Sequence, residues 1–131
     1  MSTLRVTEIQ SNSTSFNTPV RFETSGGTEN GQLTKAWVNF NGQGTVAIRA
    51  DFNVNTITDH GTGRYTINLS NALTDANFVS VFNGNESTAN SGRFFTAPET
   101  DAPTSSSIRC RFLTFGGNSI DAEFAHAAFF R

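Results

Sequence analysis

KAWVNFNGQGTVAIRADFNVNTITDHGTGRYTINLSNALTDANFVSVF, residues 35–82, is the stretch that decides the fold class. Through Val46, Ile48, Ala50, Phe52 and Val54 every second residue is apolar, with Arg49, Asp51 and Asn53 between the last four. A period of two sends successive side chains to opposite faces of a strand. Tyr65, Ile67 and Leu69 repeat the pattern against Arg64, Thr66 and Asn68. Between the two runs lies Asp59-His60-Gly61-Thr62-Gly63, whose glycines tolerate positive φ and so permit a tight reversal. The reading is an antiparallel sheet with one face buried.

Working outward, strands are expected over 34–40, 45–54, 64–69, 78–82, 107–115 and 120–130, with turns at 41–44, 59–63, 71–75 and 116–118. No segment sustains a helical period. Six strands with turn signals about every ten residues predict an all-β fold, a small antiparallel β-sandwich. The segment 83–106 interrupts it with a polar, glycine-bearing loop and a Pro/Ser/Thr stretch. Loops of that length in a compact domain are functional or disordered. Residues 1–32 differ again: Leu4, Val6 and Ile9 precede a polar run over 11–18, and Val20-Arg21-Phe22-Glu23 is one short extended piece ending at Ser25-Gly26-Gly27-Thr28. Such a segment builds no core of its own. A frayed arm and an arm that buries Leu4, Val6 and Phe22 against a neighbour both fit it. The expected organisation is an extended N-terminal arm over 1–32 and a sandwich over 33–131.

Composition narrows the function classes. The 131 residues carry a net charge of −2 with 15% charged residues, which gives little support to a sequence-independent grip on nucleic acid. No run approaches a membrane span, and the start lacks the basic and apolar regions of a signal peptide, so the chain is expected to be made in a cytoplasm without membrane insertion. Thirteen phenylalanines against one tyrosine and one tryptophan exceed what surface positions accommodate; most should lie in a core or at a subunit interface. The single Cys110 alternates with Ile108 and Phe112 and reads as a buried thiol.

Catalysis has little to rest on. The two histidines, His60 in a glycine turn and His126 on the last strand, accompany no nucleophile-elbow pattern. Asp51, Asp59, Glu86, Asp101 and Asp121 supply carboxylates whose ordinary reading is solvation or pairing with arginine. Asp75 and Asn77 lack the glycine and distal glutamate of a calcium loop, and one cysteine with two distant histidines does not make a zinc site. We expect no enzyme, no cofactor and no metal. Sugar binding is the chemistry that survives, because glycan sites use amides, arginine and a ring. Asn83, Asn85, Glu86, Asn90 and Arg93 place those types on the long loop, with His60 in the turn alongside. Trp37 alternates with Ala36, Val38 and Phe40 and should face away from the core, as an interface residue or a sugar platform. Trp37, Phe40, Phe129 and Phe130, with Leu4, Val6 and Ile9 of the arm, are the expected interface set.

The segments KAWVNFNG (35–42), VAIR (46–49), FNV (52–54) and ITDHGTGRYTINL (57–69), in that order, resemble the fibre proteins of tailed phages, marine and cyanobacterial ones especially. The opening STLRVTEIQ (2–10) and the closing DAEF…AAFFR (121–131) are similar to the ends of those proteins, and the likeness fades across 83–107. The run from Tyr65 to Phe78 resembles collar-fibre tips whose sandwich is similar to H-type lectins. The resemblance implies a homotrimeric virion component, an arm that docks on other virion proteins, and a surface contacting host polysaccharide. An architectural part that never touches the host (a capsid decoration, baseplate or tail protein) is the alternative, and a free lectin-like module a third.

Overall fold

The computed structural model describes residues 20–24, 27–31, 33–85, 95–98 and 101–131, and no helix occurs among them. The chain divides into two units, Met1–Leu33 and Thr34–Arg131. In the first, β1 (Val20–Thr24) and β2 (Gly27–Gly31) form an antiparallel hairpin in which Val20 pairs with Gly31 and Thr24 with Gly27. The sequence reading anticipates the first strand only. Gly-Thr-Glu-Asn-Gly has no apolar alternation, so no period of two announces β2 in the sequence. Leu4, Val6 and Ile9 lie outside the described residues.

The second unit holds β3 (Thr34–Asn41), β4 (Ala47–Phe52), β5 (Val54–Asp59), β6 (Arg64–Leu69), β7 (Val79–Asn85), β8 (Phe95–Pro98), β9 (Ser107–Leu113) and β10 (Phe124–Phe130). They make two four-stranded antiparallel sheets, β4-β3-β10-β7 and β5-β6-β9-β8. The sheets face each other as a small β-sandwich. Ala36, Val38 and Phe40 of β3, with Ala125, Ala127 and Phe129 of β10, meet Tyr65, Ile67, Ile108, Cys110 and Phe112 from the opposite sheet. The rings of Phe40, Tyr65 and Phe112 pack edge-on with centroids 5.3, 5.9 and 6.4 Å apart, and Phe129 does the same with Phe78 and Phe82. Edge-to-face contact sets the positive ring rim against the negative face.

Two sequence expectations change here. Phe40 and Phe129, assigned to a subunit interface, are wholly buried within the single chain, because each lies on the inward period of its strand. The expected strand 45–54 is two strands in different sheets. Asn53 adopts φ 58°, a left-handed conformation that asparagine tolerates, and the chain crosses between sheets there. Its side chain holds the crossing: Nδ2 donates to the carbonyls of Lys35 and Asn71, and Oδ1 accepts from Asn71 N at 2.8 Å. The alternation within β4 is also reversed part-way. A bulge between Asn39 and Phe40 pairs Phe40 with Ile48 but Asn39 with Ala50 and Trp37 with Phe52. One extra residue moves the remainder of the strand to the other face. Ile48 therefore packs against the core, while Ala50 and Phe52 are exposed.

One polar network closes the end of the sandwich. The Tyr65 hydroxyl, fully buried, lies 2.8 Å from both the Gly42 carbonyl and Asp121 Oδ1, and Gly63 N donates to the same carboxylate oxygen at 2.6 Å. Burial pushes the phenol well above its ordinary value, and the hydrogen bond to Asp121 adds to the rise. Gly63 (φ +68°) is required twice over: its backbone is left-handed, and a Cβ there would sit 2.7 Å from backbone atoms of Ile120.

Candidate functional site: the two outer faces of the sandwich

Because the inward positions are fixed by the core, the outward ones can be assigned residue by residue. On the β4-β3-β10-β7 sheet, Phe52 pairs with Trp37, Trp37 with Ala128, and Ala128 with Val81, so one cross-strand row runs over all four strands. Phe52 is 45% exposed, Trp37 39% and Val81 55%. The pair Phe130 and Val79 extends the row, with Val79 64% exposed. A parallel row is mostly polar: Ala50 opposite Asn39, Asn39 opposite His126, His126 opposite Asn83. The small Ala128 between Trp37 and Val81 leaves a groove of about 350 Å³, lined by these residues together with Asn39, Asn83 and His126. Asn39 Oδ1 is removed from solvent and accepts no hydrogen bond among the described residues. A buried acceptor left unmade costs about 1–3 kcal/mol.

The opposite outer face is different in kind. On β5, β6 and β9 the outward positions are Thr56 and Thr58, then Arg64, Thr66 and Asn68, then Ser107, Arg109, Arg111 and Leu113. Asn68 Nδ2 donates to the hydroxyls of Thr56 and Thr58, both at 3.0 Å, and His60 Nε2 lies 2.9 Å from Thr66 Oγ1. Arg109 pairs with Asp101 at 2.5 Å, and Arg111 Nε donates to Ser119 Oγ at 2.8 Å.

Of the expected sugar-binding residues, Glu86, Asn90 and Arg93 lie outside the described residues. Asn83 and Asn85, expected on a loop, are strand residues at the end of β7, paired with His126 and Phe124. This moves Asn83 away from His60 and onto the Trp37 face. The Asp59–Gly63 turn does reach the same end of the sandwich as the end of β7. A Cβ on Gly84 would meet the Phe112 ring, and Phe112 N donates to the Gly63 carbonyl. Of the expected interface residues, Trp37 and the half-buried Phe130 remain at the surface. Phe52, Val79 and Val81 join them unexpectedly. Phe52 was hidden by the bulge, and Val79 and Val81 stand on the outward period of β7, a direction readable only once Phe78 and Phe82 are known to turn inward.

Among the described residues no group of three His, Cys, Asp or Glu side chains is placed to hold a metal ion. No helix among them is long and apolar enough to cross a membrane. Comparison with known proteins finds no matching family, no matching curated protein and no matching solved structure.

Proposed function

We propose that the chain is a structural component of a tailed-phage virion, a fibre or fibre-tip unit that assembles as a homotrimer and acts by binding. The observation that carries this reading is the apolar row Phe52–Trp37–Ala128–Val81 on an otherwise complete sandwich. Contiguous exposed apolar surface of this kind marks an interaction site. A cyclic arrangement lets each copy cover a neighbour's row and closes without an open edge. The segment 1–32 is assigned to attachment on other virion proteins, and host polysaccharide is contacted by the surfaces the trimer leaves free. Three copies convert weak single-site binding into useful retention.

The experiment is the native mass at micromolar concentration, read beside the emission of Trp37, the only tryptophan. Three chains with a blue-shifted indole that reddens on dilution are expected. A monomer with solvent-exposed emission at every concentration refutes assembly on this face. The architectural reading, with no receptor contact, draws on one specific observation: Asn83, a leading candidate for sugar binding, stands on the assembly face. Particles lacking the protein that adsorb normally to host cells select that reading.

A further inference from the structure

We propose that assembly on the Trp37 face is governed by pH through His126: a neutral imidazole lets neighbouring copies cover the face, and a protonated one releases them. The inference rests on the assembly reading, since it names the regulation of that same face.

The placement starts from the core. Ala125 and Ala127 are buried, so His126 between them turns outward. It stands on a central strand, opposite Asn39 of β3 and Asn83 of β7, and lines the groove with Trp37, Val81 and Ala128. In the single chain the imidazole is exposed. A neighbour seated on the row Phe52–Trp37–Ala128–Val81 closes over the adjacent row as well, and His126 is at its middle.

The charges around His126 decide the sign. From β3, Trp37 and Asn39 face the same way, and from β7, Val81 and Asn83; none of them is charged. Lys35, further along β3, is buried. On β10 itself the outward neighbours are Phe124 and Ala128. The charge that β4 brings to this face is positive: the Arg49 guanidinium lies 4.5 Å from the centre of the Phe124 ring, two residues before His126. Asp51 stands opposite the inward Val38 with its Oδ2 accepting from Val54 N, and Glu123 lies outside the strand. A proton on His126 therefore meets no carboxylate at the described outward positions and shares the face with another cation. Water solvates that charge in the separate chain. Under a neighbour's apolar row an unpaired imidazolium loses this solvation, a cost that the neutral ring escapes. Separated copies thus hold the proton more readily than assembled ones, and linkage favours separation as pH falls. Each copy that must shed a proton weakens assembly by up to about tenfold per pH unit, and three copies by up to about a thousandfold.

The test follows the native mass of the full chain at micromolar concentration from about pH 8 to about pH 5.5, the range in which histidine changes charge. Circular dichroism verifies the β fold at each point. Three chains are expected at the upper end and separate chains at the lower, with the Trp37 emission reddening as they part. His126→Gln keeps a neutral polar side chain and should hold three chains over the whole range. His126→Lys, a cation throughout, should stay separate throughout; should it fail to fold, His126→Gln decides alone. His60→Gln removes the other of the two histidines, on the Asp59–Gly63 turn, and should keep the acid response of the parent. A parent that stays trimeric at the lower end, or a His126→Gln variant that separates in acid as the parent does, overturns this inference and leaves the assembly reading standing. A chain that is monomeric at every pH sinks the assembly reading, and this inference falls with it.

Discussion

Replacing Tyr65 by phenylalanine isolates the network that closes the sandwich. The ring stays, so the edge-on contacts with Phe40 and Phe112 survive. The loss is one hydroxyl, leaving the Gly42 carbonyl and one of the contacts of Asp121 Oδ1 without it. A hydrogen bond to a charged acceptor is worth about 1.5–3 kcal/mol, and Asp121 keeps its bond from Gly63 N, so about 2 kcal/mol is the expected loss. For a domain of this size that lowers the melting temperature by roughly 10 °C. The pH dependence sharpens the test. Tyr65 has a raised folded pKa, so its contribution is complete below the ordinary tyrosine value of 10.0 and drains away as pH rises above it. The parent should lose about 1.4 kcal/mol of stability per pH unit above that point, over and above the slope of the phenylalanine variant. Tyr65 is the only tyrosine, so absorbance near 295 nm reads its ionisation directly, and no phenolate should appear before the fold is lost. A variant as stable as the parent, or a phenol that ionises at its ordinary value in the folded protein, refutes the reasoning.

Three further outcomes rest on the same geometry. Gly63→Ala must place a methyl group against the backbone of Ile120 and Phe112 in a left-handed conformation, so a loss of at least about 2 kcal/mol in denaturant unfolding is expected; a neutral result means the turn relaxes freely. The Arg131 guanidinium beside Asp75, with the Asn77 amide, holds its carboxyl below the usual range, so whatever this exposed pair contributes is present above pH 3.8 and lost as pH falls below it. Arg131→Ala should weaken that acid dependence, with the Asn77 amide holding the remainder, and titration of Asp75 followed by NMR checks it. Trp37→Ala should shift the native mass towards the monomer without lowering the melting temperature of the monomer itself, since the side chain lies outside the core.

The β class, the burial of the Tyr65–Leu69 face and the thiol at Cys110 were legible because each depends on a local period of two. Everything that failed needed a partner strand. Phe129 alternates as cleanly as Phe52, yet the first is core and the second surface. The difference lies in a bulge between Asn39 and Phe40 that no single-strand pattern records. The break at Asn53 was equally hidden, since its cause is a set of bonds to Lys35 and Asn71, each 18 positions away. The candidate sites suffered most. Asn83 reads as part of a polar loop, and only the register that sets it opposite His126 places it on the Trp37 face.

The two strands at the ends of the second unit, β3 and β10, pair in the middle of a sheet, with Phe40 against Ala125 and Ala36 against Phe129. Contacts between such distant positions make folding slow, because the loop entropy is spent before any contact rewards it. On the ribosome β3 and β4 emerge before β10 and cannot join β7 until β10 is free. A chain truncated within 124–130 lacks the centre of that sheet and leaves two bare edges, templates for non-native pairing. Synthesis of β10 thus acts as a checkpoint: the apolar outer face of the β4-β3-β10-β7 sheet exists in native form only after translation has delivered that strand.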